Sequence, residues 1–209
     1  TDKPKEVSEM FPDKFQDVHS VETPNLKIHY VEHKPWPHST LERFSFFRSN
    51  MGRMGAADFF IYLDADVRIC APIGDEILGD RVGVQHCGYV QERGTYETRR
   101  ESTAFVAANE GEQYFGGGVW AFSSEEFWSL VFETTLAIDK DKENGIVALH
   151  HDESHLNRYF VDNPPTVILS PAYHYPENHQ HIYNKWRKKG LKFECKILLL
   201  QKDHAKMRS

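Results

Sequence analysis

The chain predicts an α/β fold with a mostly parallel central sheet, on three observations. Apolar runs of strand length alternate with segments of helical period between residues 25 and 201. Residues 59–63, Phe-Phe-Ile-Tyr-Leu, are uninterrupted apolar or aromatic positions, the pattern of a strand buried on both faces. That run ends on Asp64-Ala65-Asp66, and carboxylates spaced i, i+2 leave an extended backbone on the same side. In open α/β sheets, ligands bind at the carboxyl ends of strands. Adjacent carboxylates repel unless a cation joins them. A hard divalent ion with oxygen ligands, Mn2+ or Mg2+, suits such a pair and commonly holds substrate phosphates as well. The alternative for a bare Asp-x-Asp is a strand end carrying solvated acids.

The 209 residues, 40% hydrophobic and 13% aromatic, suit one globular domain over 1–209 with its own core. A net charge of -6 is too small to argue for nucleic acid. It is unevenly spread: residues 184–209 carry nine Lys/Arg against Glu194 and Asp203, a local +7 that leaves -13 for the remainder. Such a basic C-terminal stretch beside an acidic site suits an anion, although charge runs are more often solvated faces. Cys70, Cys87 and Cys195 have an odd count and no metal-type spacing, which argues against a disulfide scaffold. No apolar run approaches the ~20 residues of a membrane span, and no signal-peptide pattern is visible, so the expected location is the cytoplasm.

Taken in order, residues 1–24 read as a polar arm and 25–32 as a strand, with Leu26, Ile28 and Tyr30 alternating. Ser39-Thr-Leu-Glu42 is a capping box opening a helix on which Leu41, Phe44, Phe47 and Met51 recur at helical spacing and Arg43 lies early. After Asp66 come a helical patch over 73–78, a strand over 81–85 and a polar stretch over 86–100. Tyr114 to Phe122 reads as a strand entered through Gly116-Gly117-Gly118, and such glycines mark a close approach by ligand or backbone. A second capping box, Ser123 to Glu126, opens a helix to about residue 139. His150 to Phe160 reads as a helix stopped by Pro164-Pro165, with strands at 166–170 and 196–201 after it.

The 150–160 helix is the second chemical cluster. His151 is followed by Asp152, with Glu153 one place late, so the zinc-protease spacing is wrong. His151 and His155 at i, i+4 keep a zinc hydrolase open as a reading, against capping residues of an ordinary helix. A carboxylate near a helix start, in a site with metal and phosphate features, also suits a nucleophile or base.

Asp64-Ala65-Asp66, the 95–104 segment, Glu110-Gly111, His151-Asp-Glu-Ser-His-Leu-Asn-Arg-Tyr-Phe160 and Leu169-Ser-Pro-Ala-Tyr173 together resemble glycosyltransferase family 6, over essentially the whole chain. The wording of 163–166 and 170–173 is closer to bacterial members than to animal ones. The resemblance implies a GT-A type, Rossmann-like nucleotide-sugar fold and a retaining transfer of GalNAc or Gal. The donor would be UDP-GalNAc or UDP-Gal, the acceptor the 3-hydroxyl of a β-galactoside glycan, and the product linkage α1,3. It assigns Asp64 and Asp66 to Mn2+, and Glu153 to the role of nucleophile or stabiliser of the reacting centre. It assigns Arg43, Ala65, Gly116, Gly117, Gly118 and Asp152 to the donor, with Lys202, His204 and Arg208 closing the 184–209 tail over the diphosphate. His86, Thr95, His151 and Glu153 fall to the acceptor. Small residues at 116–118 leave room for an acetamido group, favouring UDP-GalNAc, and the 86–95 wording favours a fucosylated acceptor. Three departures stand out: the family's opening strand, helix and strand are not found ahead of Thr1, His150 replaces a tryptophan, and 178–195 reads as an insertion. A non-catalytic sugar- or nucleotide-binding module is the competing expectation.

Overall fold

The computed structural model describes residues 20–23, 26–29 and 34–201. The chain divides into two units, residues 1–39 with 203–209, and residues 40–202. In the first unit, β1 (Ser20–Thr23) pairs antiparallel with β2 (Leu26–His29), placing Thr23 opposite Leu26.

The helix predicted from the first capping box forms as three short pieces: α1 (His38–Leu41), α2 (Arg43–Ser49) and α3 (Met51–Met54). The helix begins ahead of Ser39, and breaks fall at Glu42 and Asn50, whose backbone angles drift off the helical values. The apolar spacing still works. Leu41 and Phe44 are buried and Phe47 packs against the same cluster, whereas Met51 stays exposed.

The strands β3 (Phe59–Leu63), β4 (Val67–Ile69), β5 (Arg81–Gln85) and β6 (Phe115–Ser123) precede the long α4 (Ser124–Glu143). Then come α5 (His151–Asp162), β7 (Val167–Leu169), β8 (Tyr175–Pro176), α6 (Gln180–Lys188) and β9 (Ile197–Leu199). The four-stranded central sheet has the order β3-β6-β5-β7. The expectation of a mostly parallel sheet does not hold for it. β6 runs antiparallel to both its neighbours, and only β5 and β7 pair in parallel. The physical reason lies in which strand is central. β3 is an edge strand with alternating exposure, Phe59 and Ile61 lying open, so its apolar run is not a both-faces-buried strand. That role belongs to β6, buried from Phe115 to Phe122.

β6 organises the core by simple alternation. Trp120 and Phe122 face one cluster with Phe44, Phe127, Leu130, Leu156 and Phe160. Val119 and Ala121 face a second with Ile77, Val82, Val84 and Ile197. Tyr62 of β3 stacks on Trp120 with ring centroids 4.7 Å apart. Where β5 bulges between Gly83 and Gln85, the Phe115 ring lies where a Gly83 side chain would be.

A second, three-stranded sheet, β4-β9-β8, was not expected from the sequence. Nor was α6, which occupies the 178–195 stretch read as an insertion. Its Trp186 Nε1 donates to Cys87 O at 2.9 Å. Lys185 and Lys189 both reach Glu92, at 2.6 and 2.7 Å. Lys196 reaches Pro72 O at 2.7 Å. Three of the nine cations of the basic C-terminal stretch are therefore tied to the protein's own acids and carbonyls, and residues 202–209 lie outside the described residues.

Buried polar groups pin the connections. Glu97, 2% exposed, accepts from Arg99 and from Leu149 N at 2.8 Å, and these partners hold its carboxyl down at about 2. Asp141 on α4 accepts from Ser102 Oγ at 2.5 Å and Thr103 N at 2.7 Å. His155 lies 3.6 Å from the same carboxylate, kept neutral by burial that outweighs Asp141's pull. His155 therefore faces α4. Among the described residues no cluster of three metal-ligating side chains includes His151 and His155. No described helix is long and apolar enough to cross a membrane.

Candidate active site

The site forms where β3 and β6 meet the start of α5. Asp64 N continues the β3–β6 ladder by donating to Gly118 O at 2.9 Å. The strand ends at Leu63, however, and Ala65-Asp66 is a turn into β4. Asp64 and Asp66 are thus not presented by one extended backbone, as the i, i+2 spacing predicted. Instead the turn is fixed from the far side by Leu200 N donating to Asp66 O at 2.9 Å.

Arg43 is the hub. Its guanidinium donates to Gly117 O at 2.7 Å and to Asp64 Oδ1 at 3.1 Å. It pairs with Asp152 Oδ2 at 3.1 Å and lies 4.3 Å over the centre of the Tyr62 ring. Tyr62 in turn donates its hydroxyl to Asp64 Oδ1 at 2.7 Å. Burial works against the charge on Arg43, but Asp152 and the neighbouring acids hold its pKa above the ordinary value. Burial pushes the Asp152 carboxyl up to about 6 against the pull of Arg43, with Glu153 and Asp64 adding repulsion.

The fold of α5 aims Glu153 at β6. Asp152 and Glu153 sit in its first turn, where the helix dipole favours negative charge. His150 N donates to Ser154 Oγ at 2.9 Å, and His151 takes the left-handed conformation (φ 50°), uncommon for a residue with a side chain. One turn on, Asn157 clamps both the N–H and the C=O of Phe115, each at 2.8 Å, and its amide also donates to Glu153 O. This stitching lets Gly117 N donate to Glu153 Oε2 at 2.7 Å. The phenol of Tyr114, buried beside Glu153, is pushed well above the ordinary range by burial and by that carboxylate.

The family model for glycosyltransferase family 6 matches residues 15–209. The chain belongs to glycosyltransferase family 6. It is 36% identical over 146 residues to the human globoside alpha-1,3-N-acetylgalactosaminyltransferase 1, covering 68% of this chain and 42% of that protein. It is 38% identical over 119 residues to the rat histo-blood group ABO system transferase 1, covering 56% of this chain and 34% of that protein. The Escherichia coli O-antigen biosynthesis glycosyltransferase WbnI is 27% identical over 160 residues, covering 74% of this chain and 68% of that protein. Among these three, identity is higher with the animal proteins, and coverage of the relative is greater with the bacterial one. The chain spans under half the length of the animal relatives.

Within this family 6 chain, the structure gathers Arg43, Asp64, Gly116, Gly117, Gly118, Asp152 and Glu153. The glycines acquire a reason beyond open space. A Cβ on Gly116 would fall 2.4 Å from His174 Nε2, one on Gly117 3.2 Å from Glu153, and one on Gly118 3.0 Å from Asp64 Oδ2. Bare backbone lets the side chains of His174, Glu153 and Asp64 close on β6. Gly116→Ala should therefore cost about 1–3 kcal/mol through overpacking against the buried His174 ring. Chemical denaturation checks this, and in a His174→Ala background the same substitution should cost much less.

Of the residues expected at the acceptor, His86 contacts the rings of Tyr89, Tyr114 and His174. Thr95 Oγ1 reaches Tyr89 OH at 2.8 Å, so Tyr89 links the two residues. Lys202, His204 and Arg208 lie outside the described residues. Sequence reading missed Tyr62, Asn157 and His174. Tyr62 stands i−2 from Asp64 and Asn157 i+4 from Glu153, spacings that place each beside a residue already singled out. His174 carried no such signal.

Proposed function

We propose that this chain is a metal-dependent retaining glycosyltransferase domain of GT-A type. It transfers GalNAc, or Gal, from a UDP-sugar to the 3-hydroxyl of a β-galactoside in α1,3 linkage. The observation that carries this is the Arg43-centred cluster joining Asp64, Asp152 and Gly117, with Glu153 held one hydrogen bond away.

A divalent cation fits these residues. Among the described residues Asp64 and Asp152 both contact the Arg43 guanidinium, with Glu153 on the neighbouring Gly117 N, and the oxygen donors of this acidic cluster suit hard ions. Asp64 and Asp66 would hold Mn2+ or Mg2+, which when bound offsets negative charge on the leaving diphosphate. Arg43 fixes the orientation of Asp64 and Asp152 rather than acting alone on the donor. Glu153, locked by Gly117 N–H, provides a preorganised carboxylate for positive charge developing at the anomeric carbon. It either attacks that carbon or shields one of its faces.

Calorimetric titration with UDP tests the donor side. UDP should bind with Mn2+ present and lose most of its affinity with a chelator or in Asp64→Asn. Equal binding with and without metal would remove the metal from this reading, and no binding in either case would remove the donor site.

A further inference from the structure

The geometry points to a second, chemically different metal site, for a soft or borderline ion such as Zn2+, built from His86, Cys87 and His174. One ligand atom from each residue lies within 4.8 Å of the other two. A tetrahedral ion with Zn–N and Zn–S bonds holds its ligand atoms about 3.5 Å apart, so a contraction of about 1 Å would complete the set. Two imidazoles and a thiolate are the donor set of zinc-type ions, unlike the oxygen donors of Asp64 and Asp66.

The second observation is His174 itself. It is 5% exposed, and its Nδ1 is buried without a hydrogen-bond partner. An orphaned buried nitrogen is costly and calls for a ligand. Burial first, and then His86, keep this imidazole neutral with a pKa down at about 3. No proton would therefore compete for it near neutrality. Cys87 is also buried, its thiol pushed up to about 12 by burial, so metal binding would release a proton from sulfur. One contact opposes ligation: Gly88 N donates to His86 Nδ1 at 3.1 Å. Metal on Nδ1 would replace that bond, whereas metal on Nε2 would require Nδ1 to carry the proton and turn from Gly88. Three protein ligands leave a fourth position for water or a hydroxyl.

The site shares His86 with the expected acceptor contacts, but its test is separate from UDP binding, on which the donor side of the transfer reading stands or falls. Its test is Co2+ titration of the chain carrying Cys70→Ser and Cys195→Ser, so that Cys87 is the remaining thiol. A thiolate-to-cobalt charge-transfer band should appear at one equivalent and vanish on adding Zn2+. Oxygen ligands at Asp64 and Asp66 give no such band. The band should be lost in Cys87→Ser, with Cys87→Ala as the substitute if circular dichroism shows Cys87→Ser unfolded. Zn2+ affinity, read by competition with a chromophoric chelator, should fall ~10-fold or more in His174→Gln. Absence of the band, its survival in the Cys87 variant, or unchanged Zn2+ affinity in His174→Gln would overturn the proposal.

Discussion

Glu153→Gln should lower the transfer rate about 10²- to 10³-fold, the scale on which losing one preorganised electrostatic partner of a transition state is felt. The substitution isolates charge. Glutamine keeps the size and an oxygen able to accept from Gly117 N, so the 2.7 Å link to β6 can survive. What disappears is the negative charge proposed to act on the reacting carbon. UDP affinity with Mn2+ should change little, because this carboxylate is assigned to the sugar and not to the diphosphate. Single-turnover kinetics beside UDP titration separates these effects. A variant that transfers at near the parent rate would displace Glu153 from the chemistry.

Arg43→Met should destabilise the fold by about 3–5 kcal/mol, the usual loss when one partner of a buried ion pair is removed. Asp152 would lose its 3.1 Å partner while staying buried beside Glu153 and Asp64. Gly117 O and the Tyr62 face would lose theirs as well. The pH dependence follows from the sign of the Asp152 shift. Its folded carboxyl titrates near 6, above the ordinary value of 3.8. The folded state thus binds the proton more tightly than the unfolded state. That stability is fully present below the unfolded value and is lost as pH rises through the folded one. Without Arg43 the folded value moves higher still, so the deficit of the variant against the parent should be smaller at pH 5 than at pH 8. Urea unfolding at both values measures it. A deficit independent of pH would mean that packing over Tyr62, not charge, is what Arg43 supplies.

The legible part of this molecule was its chemistry-bearing residue types. Asp64 stood out at a strand end and the Asp152-Glu153 carboxylates at a helix start, Arg43 drew its role from the family resemblance, and the fold brings the four to one place. Geometry was less legible. An apolar run such as 59–63 does not say how many neighbours a strand has, so the edge position of β3 and the antiparallel course of β6 were missed. The glycines of β6 announced a close approach, yet what approaches Gly116 is His174, from a segment far along the chain. The 178–195 stretch looked like a solvated basic insertion because its cations dominate its composition. Ile182 and Trp186, one turn apart on α6, were the signal of a docked face, and both are buried.

The most direct test of the central claim is product formation from UDP-GalNAc or UDP-Gal and a 2'-fucosyllactose-type acceptor, with the new linkage read by NMR. The account predicts an α1,3-linked product formed only with Mn2+ or Mg2+, with UDP-GalNAc used faster than UDP-Gal. A β-linked product, or turnover undiminished by a chelator, would contradict it.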